Sequence, residues 1–423
     1  MNAFPRRKAI SKALFGLGLL LPLLAGGNAL FLLEPEDGIR YFIAAALGTT
    51  WLVVWTGGRT SLVRPAQHSA PQAIAALLLA ALVTWWCATL ANRPFGPRAI
   101  TDAQGLFCGA LLYGVLSSQP LRAGEIRSFV AGLLAGTLIT AIYAQYQYWI
   151  MYPRVTVLLR PLGREPIVAI NANFYNANCY APFVAAVIVL SIVLWKNRST
   201  RLVRRLSAAG SLALMGTLAL TESRAAILLL LLVALGLSTA MLRSAGRRFC
   251  LVLIGGASLL LVLAGWAAAA RQNLSELWQV GTLGRIAIWR GAWAMISDHW
   301  RVGVGLGQFA EQFERYRVTT YYTRYPHNLF LEVFAETGIT GIITLVSFLA
   351  ITVAVAAHRL VLRRRRESRG QPYGVPLQAI LLSAGTLLLV HAMVDIDWHA
   401  PANPILLLTL LATAQRDFSE EAE

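Results

Sequence analysis

The sequence has little charge: only 13% of its 423 residues are Asp, Glu, Lys or Arg. Soluble globular domains carry roughly 25% charged residues. Acidic residues are scarcer than basic ones, 20 against 37, and lysine occurs only at Lys8, Lys12 and Lys196. With 57% hydrophobic residues, the chain has too little polar surface for a water-soluble protein.

Cysteine is also scarce, with four residues in the whole chain: Cys87, Cys108, Cys179 and Cys250. All four fall within or at the edge of apolar segments, and none belongs to a C-x-x-C pair. This excludes a cysteine-based metal site of ordinary spacing. We interpret the four as small apolar packing residues.

Apolar runs of membrane-spanning length recur along almost the whole chain. A span must satisfy its backbone hydrogen bonds internally, so these runs predict an all-α fold, a polytopic membrane helical bundle of about 12 transmembrane helices. The predicted spans are 13–33, 40–56, 71–91, 103–120, 128–149, 179–195, 206–221, 225–242, 249–268, 332–357, 374–394 and 404–415.

The net charge of +17 raises the possibility of nucleic-acid binding, but the positions of the charges argue against it. Basic residues concentrate in alternate short connections, as the positive-inside rule requires of cytoplasmic loops. These connections contain all three lysines and the run Arg363–Arg366. We therefore expect a multi-pass protein of the bacterial inner membrane with both termini cytoplasmic, and no nucleic-acid partner.

Two connections on the outer, periplasmic side are longer than a turn requires, 150–178 and 269–331. Long ordered loops are disproportionately functional. The second loop contains seven arginines and no lysine: Arg271, Arg285, Arg290, Arg301, Arg315, Arg317 and Arg324. Arginine's planar fork suits bidentate binding of phosphate, which makes this loop a candidate binding region.

A tight polar turn, Thr221-Glu222-Ser223-Arg224-Ala225, separates two apolar runs at the same outer face. Arg224 could reach lipid phosphates from a membrane boundary. The tightness of the turn and the adjacent Glu222 favour an arginine that faces inward instead.

The segment Gly284–Trp293 predicts a short amphipathic helix with Ile286, Trp289 and Trp293 on one face and with Arg285 and Arg290 flanking it. Interfacial anchoring by arginine and tryptophan is the alternative function. A glycine-rich stretch follows at 303–307. It has neither the preceding strand nor the lysine of a nucleotide-binding loop, so we expect a flexible turn near the membrane.

The third motif, Tyr325-Pro326-His327-Asn328, precedes an apolar run that contains Glu332 and Glu336. Pro326 is a natural helix start, which would place His327 on the first helical turn. A helix N-terminus disfavours the charged imidazolium, so His327 would be a neutral ring able to accept a proton. A structural histidine is the alternative.

No metal site is expected, because the outer face shows no cluster with metal-ligand spacing. Asp395, Asp397 and His399 come nearest to one. Their position in a short loop between two spans is more typical of turn and cap residues.

In order and topology, these segments together resemble the O-antigen ligase and polymerase superfamily. The matching features are Ser223-Arg224, the block from Arg285 to Phe309, and the stretch from His327 to Gly341. The resemblance divides the chain into N-terminal helices at 1–204, a signature region at 205–345 that includes the periplasmic loop 269–331, and C-terminal helices with a cytoplasmic tail at 346–423.

The resemblance implies a metal-independent, inverting glycosyltransferase with a periplasmic active site and no cofactor. Its donor would be a glycan on undecaprenyl diphosphate, its acceptor the lipid A–core oligosaccharide, and its product lipopolysaccharide. His327 would be the catalytic histidine, and Arg224 and Arg285 would bind the diphosphate. Arg290 departs from the pattern as a second arginine in the block, so either Arg285 or Arg290 could hold the phosphate.

Three other functions remain open at this point. Two belong to the same superfamily, an O-antigen polymerase and a protein O-oligosaccharyltransferase. The third is a membrane transporter, which should show internal repeats or broken spans with charges near the midplane. The nearly charge-free middles of the spans argue against transport.

Overall fold

The computed structural model describes residues 3–27, 35–57, 70–96, 99–118, 121–159, 169–195, 200–240, 251, 254–256, 258, 284–318, 323–367 and 377–416. Its helices are α1 (Ala3–Leu24), α2 (Pro35–Gly57), α3 (Ala70–Asn92), α4 (Ala99–Ser118), α5 (Ala123–Tyr146), α6 (Tyr152–Leu159), α7 (Ala177–Leu190), α8 (Arg201–Leu220), α9 (Arg224–Ala240), α10 (Gly284–His299), α11 (Phe309–Phe313), α12 (Leu329–Glu367), α13 (Leu377–His391) and α14 (Ala402–Ala414). A π-helix, Gln147–Met151, joins α5 to α6, and a 3₁₀ turn, Ser191–Trp195, extends α7.

The protein is an all-α, polytopic helical membrane protein, as the hydropathy pattern predicts. Within the described part of the chain, five helices are long and apolar enough to cross a membrane: Ala70–Asn92, Ala99–Ser118, Ala123–Val155, Ala177–Trp195 and Leu329–Leu362. The other predicted spans correspond to shorter or less apolar helices, except 249–268, most of which lies outside the described residues. The total of about 12 stays a prediction.

Backbone hydrogen bonds join segments distant in sequence at one end of the bundle. We call it the long-loop end, because the described parts of both long loops lie there. Ala402 N donates to Ala25 O at 2.7 Å, and Leu329 N donates to Ala392 O at 2.9 Å. The loop 169–176 also folds back onto this end, since Ile170 N donates to Leu220 O at 3.1 Å.

Basic side chains gather at the opposite end of the bundle. Arg7 pairs with Glu125 at 3.4 Å, and Arg416 Nε donates to Leu116 O at 3.0 Å. Arg359 donates to the Gln72 side chain at 3.4 Å. These three arginines belong to the tails and connections that the charge pattern assigns to the cytoplasm.

Glycines permit the closest helix approach in the bundle, between α1 and α5. A Cβ at Gly132 or Gly136 would collide with the backbone of Phe15 and Leu19 respectively. Small residues four apart on one helix are a common device for close packing in membranes. This contact holds α1 against α5.

The described part of loop 269–331 forms a small packed unit on α12. Its core contains Ile288, Ala292, Met295, Ile296, Phe309, Phe313 and Ala335. The predicted short helix is present as α10, which turns its smaller apolar side chains toward Phe309 and Phe313. Ile286 and Trp293 of the predicted apolar stripe are 38% and 56% exposed, as the stripe of an interfacial helix would be.

The glycine-rich stretch 303–307 is packed against α12, so the expectation of a flexible turn is wrong. Val304 N donates to Ala335 O at 2.9 Å, and Gly305 N donates to Glu336 O at 3.0 Å. Gly303 has a φ of 71° and lies against the Glu336 backbone, where a Cβ would collide. The turn therefore holds α10 against α12.

The long helix α12 is interrupted at Gly338, whose φ of 68° and ψ of −166° are not helical. A left-handed φ is available to glycine without steric cost. Ile339 N leaves the helical pattern and donates to Trp300 O at 2.8 Å. The short first part of α12, which follows His327, is thus fixed by α10 independently of the membrane-spanning part.

Candidate active site

His327 does not lie on a helical turn, as predicted, but just before the helix, where its φ is 53°. The α12 helix begins at Leu329, because Asn328 caps it: its side-chain oxygen accepts from the backbone N–H of Phe330 at 3.0 Å and of Leu331 at 3.1 Å. Asparagine is among the best N-cap residues. The expected position of the imidazole at a helix N-terminus is therefore wrong.

The strained backbone at His327 is held from two sides. Trp289 of α10 donates its indole N–H to Pro326 O at 2.8 Å, and Asn328 Nδ2 donates to Met393 O at 2.9 Å. A left-handed φ at a non-glycine residue costs on the order of 1–3 kcal/mol and persists only when its surroundings fix it. The position of the His327 ring is consequently well determined.

Asp395 joins two of the predicted site residues, His327 and Arg285. Its carboxylate lies 3.3 Å from His327 Nδ1 and 2.7 Å from an Arg285 Nη atom. The Asp395 side chain is 3% exposed, whereas those of His327 and Arg285 are 27% and 30% exposed. A buried carboxylate thus supports two groups that remain open to the outside.

The hydrogen bond to Asp395 selects the tautomer of His327. A carboxylate accepts, so Nδ1 carries the proton and Nε2 keeps the free lone pair of a neutral ring. Burial opposes the charged form of Asp395, but the hydrogen bond from His327 and the charge of Arg285 hold the pKa of Asp395 below its ordinary value. Asp395 is therefore an anion at neutral pH.

The structure distinguishes the two arginines of α10. Arg285 points toward Asp395, whereas Arg290, five residues further along the helix, is exposed. Five residues correspond to about 140° of rotation, so the two side chains leave different faces of the helix. Only Arg285 is brought to His327 by a described contact.

Arg224 is exposed and opens α9 at the same end of the bundle. The residue before it, Ser223, contacts His391, which belongs to the same short segment, 391–399, as Asp395. His391 interacts electrostatically with both Asp395 and Arg285. Arg224 is thereby placed near the other site residues through its neighbour.

The interpretation of Asp395, Asp397 and His399 as turn and cap residues is incomplete. They do lie in a bend and a 3₁₀ turn, and Asp395 Oδ1 accepts from Ile396 N at 2.9 Å. All three are buried, and each contacts a charged or titratable side chain far from it in sequence or across the loop. Asp397 contacts His391 at 2.8 Å. Burial raises the pKa of Asp397 to about 6, although the hydrogen bond with His391 opposes this.

His399 lies between two acidic side chains of the helices. Its Nδ1 is 3.0 Å from Asp102 Oδ2, and its Nε2 is 2.8 Å from Glu332 Oε1. Burial disfavours the imidazolium, but these two carboxylates raise the pKa of His399 well above its ordinary value. The Tyr325 ring stacks on His399 with 3.7 Å between centroids, which links this cluster to the segment before His327.

A small cavity of about 10 Å³ adjoins the His399 cluster and has room for roughly one water molecule. Its lining includes Asp102, Glu332, Glu336 and Trp398. Among the described residues, no group of three or more His, Cys, Asp or Glu side chains is arranged to hold a metal ion. The cavity is too small for a sugar or a diphosphate.

One sequence signal could have identified the missed residues. Ionisable side chains at a membrane boundary are costly to bury, so they are functional candidates by default. His391, Asp395, Asp397 and His399 lie between two apolar segments, where turn residues need no such charge. The partners of these residues are visible only in the fold. Asp395, for example, lies 68 residues from its partner His327 in sequence.

A comparison with known proteins gives one family match. No curated protein matches the chain. The family model described as O-antigen ligase matches residues 209–346, a stretch that begins in α8 and ends in α12 and contains Arg224, Arg285, Arg290 and His327. The match covers about a third of the chain and shows that this region is similar to O-antigen ligases.

Proposed function

We propose that the protein is an O-antigen ligase. It would transfer a glycan from undecaprenyl diphosphate to the lipid A–core oligosaccharide, without a metal ion or cofactor. The observation that carries the proposal is the shared carboxylate of Asp395, which contacts both the imidazole of His327 and the guanidinium of Arg285. In the proposed reaction His327 accepts the proton and Arg285 binds the diphosphate.

The two exposed groups suit the two halves of glycosyl transfer. His327 Nε2 can take the proton from the acceptor hydroxyl as its oxygen attacks the anomeric carbon. Arg285 uses one Nη atom on Asp395 and has further N–H groups for the departing diphosphate. Direct attack on one side, with loss of the diphosphate on the other, inverts the anomeric configuration.

The leaving group explains why no nucleotide is needed. Undecaprenyl diphosphate already carries a good leaving group, and arginines can stabilise the negative charge that develops on it. Preorganised electrostatic groups of this kind are often worth several kcal/mol. Arg224, exposed at the start of α9, would be the second arginine on the diphosphate.

We further propose that the long-loop end faces the periplasm of a bacterial inner membrane and that both termini are cytoplasmic. In a background without native cysteines, Ser297→Cys on α10 should react with a membrane-impermeant thiol reagent in intact spheroplasts. Thr200→Cys, at the start of α8 and also exposed, should react only after permeabilisation. The reverse pattern of labelling would invert the proposed orientation.

Arginine substitutions test the diphosphate assignment, and α10 offers a matched control. Lysine keeps the charge but loses the bidentate fork. Arg285→Lys should therefore lower transfer on the order of 10²-fold, a size typical of losing one oxyanion donor. Arg290→Lys on the exposed face of the same helix should remain near wild type. Equal losses in the two variants would contradict the choice of Arg285.

An O-antigen polymerase is the nearest alternative, since it would use the same donor chemistry with a second lipid-linked repeat unit as acceptor. Both acceptors should be offered separately to purified protein with one labelled donor. A ligase forms a product only with lipid A–core. Elongation of the lipid-linked glycan in the absence of lipid A–core would favour the polymerase.

The arrangement of charges favours an enzyme over a transporter. In the described part of the chain, the buried cluster of histidines and carboxylates lies at the long-loop end, where α4, α12 and the loop 391–399 meet. A transporter would be expected to place such groups near the midplane of the membrane.

A further inference from the structure

A second histidine–aspartate pair lies beside the first in the segment 391–399. His391 Nδ1 is 2.8 Å from Asp397 Oδ2 and 3.0 Å from Oδ1. The His391 side chain is fully buried and that of Asp397 is 3% exposed. Asn403 fixes the loop at this point, because its Nδ2 donates to Asp397 O at 3.1 Å.

The other nitrogen of His391 faces Ser223. Nδ1 faces the Asp397 carboxylate, and Nε2 lies 3.4 Å from Ser223 Oγ, within hydrogen-bond distance. Ser223 is 4% exposed. The three side chains form a buried hydrogen-bonded chain from the 391–399 segment to the α8–α9 turn, which are 168 residues apart in sequence.

Ser223 occupies the residue before α9, and its backbone oxygen accepts from Ile227 N at 3.2 Å. A serine at such a position usually caps the helix with its hydroxyl. Here the hydroxyl is directed at His391 instead. Glu222 just before it has a φ of 56°, so the turn is sharp, and the direction of Arg224 depends on how Ser223 is held.

We propose that Ser223, His391 and Asp397 form a positioning chain that fixes Arg224 for contact with the diphosphate of the lipid-linked donor. This inference rests on the proposed function. The segment 391–399 would then place both arginines: Asp395 holds Arg285 directly, and Asp397 holds Arg224 through His391 and Ser223. The spacing of the two guanidinium groups is set by one short, buried loop.

The order serine, histidine, aspartate also occurs in enzymes with a nucleophilic serine. Burial argues against that role here, because neither Ser223 nor His391 is accessible to a substrate, whereas His327 and Arg285 are open. Ser223, His391 and Asp397 are therefore positioning residues, which act on the donor through Arg224.

The test measures binding of labelled undecaprenyl diphosphate, without a glycan, to the purified full-length chain in detergent. Binding does not require turnover, so the test remains valid if glycosyl transfer is not the reaction. Ser223→Ala should weaken binding about three- to tenfold, the range expected for one lost hydrogen bond. Ser223→Thr, which keeps the hydroxyl, should restore most of it.

Ser211→Ala is the matched control. Ser211 is also a buried serine of this region and lies 2.8 Å from Ser191 Oγ. It is nine residues before the end of α8, a distance of about 14 Å along the helix. Ser211→Ala should leave the binding of undecaprenyl diphosphate unchanged. If Ser211→Ala weakens binding as much as Ser223→Ala does, the loss reflects general destabilisation of the protein and the proposal is overturned.

A double-mutant cycle decides whether Ser223 acts through Arg224. The variant Ser223→Ala/Arg224→Ala should bind no more weakly than Arg224→Ala alone, whereas Ser223→Ala and Arg285→Ala should combine additively. Additivity with Arg224→Ala would overturn the proposal. A glycosyl adduct on Ser223, found by mass spectrometry after incubation with the donor alone, would overturn it in favour of a nucleophile.

Discussion

His327→Ala should reduce glycosyl transfer on the order of 10²–10⁴-fold, the usual contribution of a general base. The expected cause is loss of the proposed general base, the imidazole that Asp395 orients. Expression, membrane insertion and binding of undecaprenyl diphosphate should be largely retained, because the segment around His327 is held by Trp289 and Asn328 rather than by the imidazole. Transfer from labelled donor to lipid A–core measures the effect.

His299 provides the matched histidine control. It lies at the end of α10, in the same unit of the long-loop end, and its ring contacts Tyr316 at 3.4 Å. His299→Ala should remain near wild type in transfer. Near-normal turnover by folded His327→Ala protein would contradict the assignment of His327, whatever the family of the chain.

The carboxylate of Asp395 makes the stability of the folded protein depend on pH. Since the pKa of Asp395 is lowered in the folded protein, the stability that it provides is present above its unfolded pKa and is lost only as the pH falls through the lower folded value.

Asp395→Asn should lower transfer by a similar factor, on the order of 10²–10⁴-fold. An asparagine amide can donate to Nδ1 and so select the wrong tautomer of His327, an effect known to be large when a histidine base loses its orienting carboxylate. Arg285 would lose its partner at the same time. The kinetic measurement is kcat for transfer, compared with His327→Ala and with the double variant.

The double variant should be no slower than His327→Ala, since groups that act as a unit are not additive. Asp298→Asn is the control: Asp298 is exposed in the same unit and accepts from the Tyr316 hydroxyl at 2.8 Å. Thermal stability should change less than activity, because Arg285 and His327 are partly exposed and regain water. If Asp395→Asn protein turns over normally, Asp395 does not orient the base.

The membrane fold could be predicted from the sequence because lipid imposes one simple rule. A backbone without water must form helices, and apolar segments of sufficient length reveal them. The motifs around Arg224, Arg285 and His327 carried the resemblance to the O-antigen ligase and polymerase superfamily, and the family match at residues 209–346 supports it. The roles of these three residues stay predictions.

Details that depend on tertiary partners could not be predicted in the same way. Pro326 favoured an early helix start, but Asn328 caps the helix two residues later. The packing of Phe309 and Phe313 against the smaller side chains of α10 was not visible in the sequence, whose spacing revealed only the exposed aromatic stripe. Asp395 was missed because its meaning lies in contacts with Arg285 and His327, which are distant in sequence.

Reconstituted transfer tests the central claim most directly. Purified wild-type protein, one labelled glycan on undecaprenyl diphosphate, and lipid A–core are combined in EDTA without any nucleotide. The account predicts a glycan joined to lipid A–core, with one undecaprenyl diphosphate released for each glycan transferred and almost no product from His327→Ala protein. Absence of product from folded wild-type protein, or product that depends on an added divalent ion, would contradict it.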